Sequence, residues 1–293
     1  MKLNEGLGTS ADLEAPVASL GPEHPSRQPF WKPAKGKFGV LAFIVLIHVL
    51  AVIGLILFPL PSLKVLGLSL LFLGLGGIGT TVCYHRALSH RTVKLNGFVE
   101  QTLIFWTIFN GSGNPASWVA YHRLHHSHAD TPEDISSPKQ GGFWWAHLRW
   151  LYQTPPADQQ RWAPELTKSP YRFWQQAETP IVAVSLLCGL ALGWQAFFWI
   201  GAIRLVYALH MQCLVNSLTH LGHSKEGDSS MNLWWLGPLQ LTAWGENWHK
   251  NHHHLSGSAR LGLRWWQTDI GWYFIWGLET LGLAHNVKRP QTH

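Results

Sequence analysis

Between residues 38 and 60 the chain reads FGVLAFIVLIHVLAVIGLILFPL, without one formal charge. Roughly 20 consecutive apolar residues are what an α-helix needs to cross a bilayer, where every backbone N–H and C=O must be paired within the segment. A second run, 65–83, follows the short connection PSLK. Beyond a long polar region come 180–203 and 205–219, joined around GWQ, with Arg204 as the only formal charge between Ile181 and His220. The sequence therefore predicts an all-α integral membrane protein with four transmembrane helices in two hairpins. The stretch 97–110 (GFVEQTLIFWTIF and its flank) is apolar but too short to cross, and is expected in the interface or packed on the core.

Composition agrees. Only 13% of the residues are charged, against about 25% in soluble domains. Of the 22 Lys and Arg, all but Lys64 and Arg204 fall in the N-terminal segment to Lys37, in 84–179 or in 220–293. Basic residues concentrate on the cytoplasmic side, so these polar regions and both termini are expected to be cytoplasmic. The net charge of +6 then reads as membrane orientation and attraction to anionic lipid headgroups. No Lys/Arg cluster marks a nucleic-acid surface. Cys83, Cys188 and Cys213 lie in or beside spans, as small buried fillers rather than a disulfide framework. Residues 1–36 are rich in Pro, Gly and Ser and lack an apolar core, so they read as a flexible tail and not a cleavable signal peptide.

Most of the 18 histidines cluster on the predicted cytoplasmic side. HRALSH carries His85 and His90, and HRLHH carries His122, His125 and His126. NSLTH ends in His220, with Asn216 four residues earlier, and HKNHH supplies His249, His252 and His253. On an α-helix, positions i, i+3 and i+4 share a stripe. His122, His125 and His126 share one, and so do His249, His252 and His253; His128 and His254 fall outside them. His85 and His90 are about 140° apart on a helix, which sends them to different partners or across a helix end. His24, His48, His147, His210, His223 and His285 read as interfacial or hydrogen-bonding side chains.

Nine imidazoles crowded together would repel one another if protonated and would be costly to bury unpaired. Metal coordination removes both problems. No cysteine accompanies these groups, as a structural zinc site would commonly require, and nine ligands are too many for one ion and suit two. Imidazole serves zinc, copper, iron and nickel alike, so spacing leaves the metal open.

The order HRALSH, HRLHH, NSLTH, HKNHH, set between two membrane hairpins, resembles the integral-membrane fatty acid desaturases, above all their stearoyl-CoA-type, first-desaturation branch. The resemblance covers roughly residues 38–290. Supporting strings are DTPED after the second box, GFWWAH at 142–147 and SARLGLRWWQTDIGWY at 258–273. It implies that 37–293 is one membrane desaturase domain whose cytoplasmic helical cap carries a His-rich diiron site. Two Fe ions would be held by His85, His90, His122, His125, His126, His220, His249, His252 and His253, with Asn216 reaching one of them through water. The implied reaction removes two hydrogens from a saturated acyl chain with O2 and two electrons, giving a cis double bond of delta-9 type. No further organic cofactor is implied. Redox-inert zinc would not serve that chemistry.

Trp118, four residues before His122, and Trp248, next to His249, are candidates for the wall of an acyl tunnel. No HPGG haem signature occurs, so the resemblance implies a separate electron donor, a ferredoxin or a b-type cytochrome with its reductase. Lys250, Arg260 and Arg264 are candidates for docking it. Several strings depart from the family pattern: HLSGSAR where "FP" is common after the third box, EDISSP for "EDPHSP", and RWLYQTPP without a basic pair. The acyl carrier therefore stays open among CoA, a membrane lipid and a carrier protein. Two rival functions remain. One is a diiron hydroxylase or ketolase on another lipid, which would add oxygen. The other is a non-enzymatic membrane metal-binding protein, which would want ionisable residues along its spans, where only His48, Arg204 and His210 sit.

Overall fold

A computed structural model describes residues 24–222, 228–234 and 239–290. His223 lies outside the described residues, as do positions 1–23 of the N-terminal tail.

Among the described residues four helices are long and apolar enough to cross a membrane: α1 (Phe38–Leu57), α2 (Leu63–Ser89), α5 (Tyr171–Leu192) and α6 (Trp194–Leu218). Between the pairs lie α3 (Gly97–Phe109) and α4 (Pro115–Ser127). After them come the short α7 (His249–His254) and α8 (Ile270–Thr280). A two-residue strand β1 (Lys94–Leu95) pairs antiparallel with β2 (Ala284–His285). The outward residues of α1, among them Val45, Leu46, Val49, Val52 and Ile56, are exposed. A surface of that kind is at home against lipid.

Pro59 and Pro61 end α1, and Ser62 caps α2 by accepting a bond from the Val65 amide. The second hairpin turns at Gly193 (φ 99°). This falls inside the stretch 180–203 expected for the third span, so α5 begins earlier and α6 starts before the expected 205. The turn falls at the GWQ join read from the sequence, with the polar Gln195 beside it. It is set by a left-handed backbone position that glycine adopts without a Cβ clash. The two hairpin turns meet: Trp199 Nε1 donates to the Phe58 carbonyl (2.9 Å) and the Ser62 amide to Gln195 Oε1 (3.1 Å). Both hairpins thus enter from the same side.

Arg204 is buried within α6 and fully engaged. It donates to Ile200 O, to Asn110 Oδ1 and to Ser185 Oγ, and its guanidinium lies over the Phe109 ring. One charge thereby ties α6 to α5 and to the end of α3. That short apolar helix packs on α2 and α5 and buries Leu103, Ile104 and Ile108.

Residues 24–36 are not free, contrary to the expectation of a tail through 36. Arg149 donates to the carbonyls of Ser26 and Gln28, Gln153 to those of Pro29 and Lys32, and Tyr152 to that of Phe30. Composition suggested a loose strand because the partners lie more than a hundred residues away.

Candidate metal centre

The second half of α2 changes its winding. From Gly79 to Ser89 it is a π-helix, in which bonds run from i to i+5. The His90 amide closes the last of these turns on the His85 carbonyl (3.1 Å). Residues five apart therefore stack, and both rings enter one group although His90 sits across the helix end. The angular estimate assumed an α-helix. Arg86, between them, is buried and pairs with Asp269 (2.8 Å) and the Ala259 carbonyl. Asp269 also accepts from the amides of Leu261 and Trp272. The RLGLRWWQTD stretch is thus anchored under the first histidine box.

All nine histidines come together in two groups. In each group the nitrogens offered lie within 4.8 Å of one another: His85, His90, His122, His126 and His252 in the first, His125, His220, His249 and His253 in the second. Members of one helical stripe part company here. α4 sends His122 and His126 to the first group and His125 to the second; α7 sends His252 to the first and His249 with His253 to the second. The two helices are laced through both groups.

Behind four of the imidazoles stands a carboxylate. His85 Nδ1 lies 2.8 Å from Glu246, His125 Nδ1 2.8 Å from Asp134, His220 Nδ1 2.9 Å from Asp130 and His253 Nδ1 3.0 Å from Asp228. Each contact fixes the proton on Nδ1 and aims the Nε2 lone pair inward. Asp130 is held in turn by Ser137 and Ser229, and Asp134 by Ser136. Trp244 (φ 58°) and Gly245 (φ 104°), both left-handed, turn the chain so that Glu246 reaches His85 and the Thr81 hydroxyl.

Electrostatics follow burial. Burial, then neighbouring imidazoles, pushes His90 down to about 2 and holds His122, His126, His252 and His249 well below the usual imidazole range. Burial also opposes protonation of His125, but Asp134 overrides it and raises that pKa. Burial would raise Asp130, Asp228 and Glu246, yet their histidine partners keep all three carboxyls below their ordinary values.

The donor set fits metal ions. In the second group the Nε2 atoms of His220 and His253 face His249 Nε2 at 2.9 and 3.1 Å. Both bring lone pairs, and a neutral His249 has one proton to offer. His125 Nε2, His249 Nδ1 and His252 Nδ1 are buried without a partner among the described residues. In the first group His252 Nε2 faces both His85 and His126 (3.0 and 2.9 Å), and His90 faces His122 (2.7 Å). Cations satisfy converging lone pairs that hydrogen bonds leave frustrated.

Asn216 donates both amide hydrogens, to Ser136 O (3.0 Å) and Ala146 O (2.7 Å), which points Oδ1 the other way. It lines a cavity of about 650 Å³ together with His85, His122, His125 and His249. The same cavity runs along Val40, Phe43, Val182, Leu205 and Leu209. Trp118 belongs to its wall and stacks on His122 (4.9 Å between ring centres). Trp248 does not line it. Its indole donates to Thr268 O (2.8 Å) and its ring packs edge-on against Trp266, so the tunnel-wall expectation gives way to a buried pillar.

Spacing missed the four carboxylates and the anchoring roles of Arg86 and Arg123. Asp130 and Asp134 stand in DTPED and Glu246 in GENWHKNHH, and their nearness to the boxes in a chain with 16 acidic residues was the available signal.

Four membrane-crossing helices carrying two histidine groups at the foot of one apolar cavity define an integral-membrane metalloprotein. The fatty acid desaturase family model matches residues 61–273. The chain is 36% identical over 253 residues to a delta-9 acyl-lipid desaturase of Arabidopsis thaliana, covering 83% of this chain and 80% of that one. It is 39% identical over 220 residues to an sn-1 stearoyl-lipid 9-desaturase of Anabaena variabilis (73% and 79%). It is also 39% identical over 226 residues to an acyl-CoA 5-desaturase of Anemone leveillei (73% and 68%). The chain belongs to the fatty acid desaturase family, and is an oxidoreductase.

Proposed function

We propose that the protein places a cis double bond, of delta-9 type, in a saturated acyl chain esterified to a membrane lipid. One observation carries this reading: a single apolar cavity reaches both histidine groups, and its volume lies in the range of small-molecule sites. His85, His90, His122, His126 and His252 would hold one iron, and His125, His220, His249 and His253 the other, with Asn216 Oδ1 positioning a water. Two irons held there would supply the redox power to activate O2 against an unreactive methylene. Two hydrogens leave adjacent carbons while O2, two electrons and two protons become two waters. The protein lays the chain along Trp118 and the apolar wall, keeps bulk water from it, and holds nine imidazoles in place.

A lipid carrier is favoured over CoA by Arg149, the only guanidinium in RWLYQTPP, which is committed to the Ser26 and Gln28 carbonyls and not free for phosphates. Electrons would come from a ferredoxin or a b-type cytochrome with its reductase, docking near the exposed Lys250 and Arg264. The histidine side would face the cytoplasm, following the placement of Lys and Arg.

The test is the lipid profile of a desaturase-deficient host expressing the chain or its His252→Ala variant with a compatible donor. Gas chromatography–mass spectrometry of derivatised acyl chains should show a new monounsaturated acid, lipid-bound, from the intact chain alone. Hydroxylated or keto products would replace the reading with an oxygenase, and label passing first through acyl-CoA would replace the carrier.

A further inference from the structure

Three histidines outside the two groups form a hydrogen-bonded chain of their own. His48 Nε2 meets His210 Nε2 at 2.9 Å, His210 Nδ1 meets His147 Nε2 at 2.8 Å, and His147 Nδ1 meets Ser217 Oγ at 3.0 Å. At the far end His48 Nδ1 lies 2.7 Å from the Ile44 carbonyl. As isolated positions these residues read as interfacial side chains. Together they join α1, α6 and the turn Trp145–Arg149.

The protons can be counted. A carbonyl only accepts, so His48 carries its proton on Nδ1 and its Nε2 accepts from His210 Nε2–H. His210 Nδ1 then accepts from His147 Nε2–H, and His147 Nδ1 from the Ser217 hydroxyl. Three neutral imidazoles and one hydroxyl supply the four protons that four contacts need. Neutrality suits the site: burial, then the neighbouring His210, pushes His147 down to about 4. Ser217 Oγ is also 2.8 Å from Cys213 O, to which its proton can turn.

The chain ends where Asn216 is held. Asn216 grips the Ala146 carbonyl while its neighbour Ser217 grips the ring of His147, so adjacent residues of α6 clamp adjacent residues of the turn. The other end rests on α1, whose Phe43 and Ile44 line the acyl cavity. We propose that His48, His210 and His147 are positioning residues, a strut that fixes the Asn216 carboxamide toward the second histidine group and ties its placement to the cavity-lining α1. The proposal rests on the desaturase reading for its role in turnover, though not for its geometry.

The full-length protein in detergent, loaded with cobalt(II) as a probe, tests it. Cobalt absorption reports coordination without requiring turnover. His210→Phe should keep two cobalt ions per chain and shift the visible bands in the same sense as Asn216→Ala. In the iron-loaded enzyme it should lower kcat about tenfold, the lower end for partners behind metal sites, with KM little changed. His48→Leu should lower kcat about threefold, in the range of one hydrogen bond. His48→Gln should restore it, because its Oε1 can accept from His210 Nε2–H. Wild-type cobalt spectra and kcat in both His210→Phe and His48→Leu would overturn the proposal, and so would His48→Gln behaving like His48→Leu. Should His210→Phe not accumulate, the His48 pair decides alone. A wild-type protein that takes up cobalt but yields no unsaturated product would sink the desaturase reading, while the cobalt spectra would still judge the strut.

Discussion

The two histidine groups share α4 and α7, add His85 and His90 from α2 and its end to the first and His220 from the end of α6 to the second, and differ in what stands behind them. Of the five imidazoles in the first group, only His85 has a carboxylate partner among the described residues, Glu246. Of the four in the second, His125, His220 and His253 have one each. A carboxylate on the outer nitrogen makes an imidazole a more basic ligand and locks its ring. The contrast shows in protonation: burial carries His90 down to about 2, whereas Asp134 raises His125 against the same burial. On the two-ion reading proposed above, the second group would grip its ion more tightly and the first would leave more positive charge on its own.

The largest effect that could break this contrast comes from removing a ligand. His252→Ala should abolish product, a loss of more than about a hundredfold and so beyond the usual cost of an outer partner. Metal analysis should then find one ion per chain, because His252 belongs to the first group alone. Loss of both ions would show that the lacing of α4 and α7 makes the groups one cooperative unit. Next in size, a chelator should strip the first group before the second. Asp130→Asn should weaken the second by about 10–100-fold and erase that order. Glu246→Gln, acting on one of five ligands, should widen the gap instead. Competition for cobalt(II) against a chelator measures all three, and an unchanged order in Asp130→Asn would remove the carboxylates as its cause.

Much of this centre was legible in the sequence, and the missing part has physical reasons. The nine imidazoles announce themselves by spacing, since no ordinary surface clusters them so. Their division between two groups does not. It depends on a π-helical turn that stacks His85 under His90, and on α4 and α7 each sending side chains to both groups. Asp130, Asp134, Asp228 and Glu246 were hidden because a carboxylate next to a histidine box has many uses, and only folding tells which ring it meets. His48, His147 and His210 are separated by 63 residues or more, and although His147 closes GFWWAH, no pattern in the sequence joins the three. The GWQ join at Gly193 was readable, but the apolar residues on both sides of it left the bounds of the two spans misplaced.

Trp118 sharpens the comparison from the cavity side, because it stacks on a ligand of the first group only. Trp118→Leu should lower kcat/KM by about two- to tenfold, the worth of a stacked ring pair, and leave chelator release from the second group at the wild-type rate. A shift in the second group's release would mean that the cavity wall supports both.

The smallest effect should be symmetric. α4 feeds both groups, and Arg123 pins it to the end of α2 by donating to the Leu88 and Ser89 carbonyls while also holding Glu165 (2.7 Å). Burial would raise the Glu165 carboxyl, but hydrogen bonds from Arg123 and Arg91 bring it down to about 2. A carboxyl depressed in the folded state stabilises fully above its unfolded value of 4.5, and that contribution fades as pH falls toward 2. Glu165 is 37% exposed, so solvent screening limits the gain to about 1 kcal/mol or less. Glu165→Gln should therefore cost little thermal stability at neutral pH. Its gap to the metal-free wild type should close as the pH drops from 4.5 toward 2. Both sets of cobalt bands should move equally or not at all. A shift confined to one group would show that α4 does not carry the two as a single rigid support, and the contrast between them would then belong to the helix and not to the carboxylates.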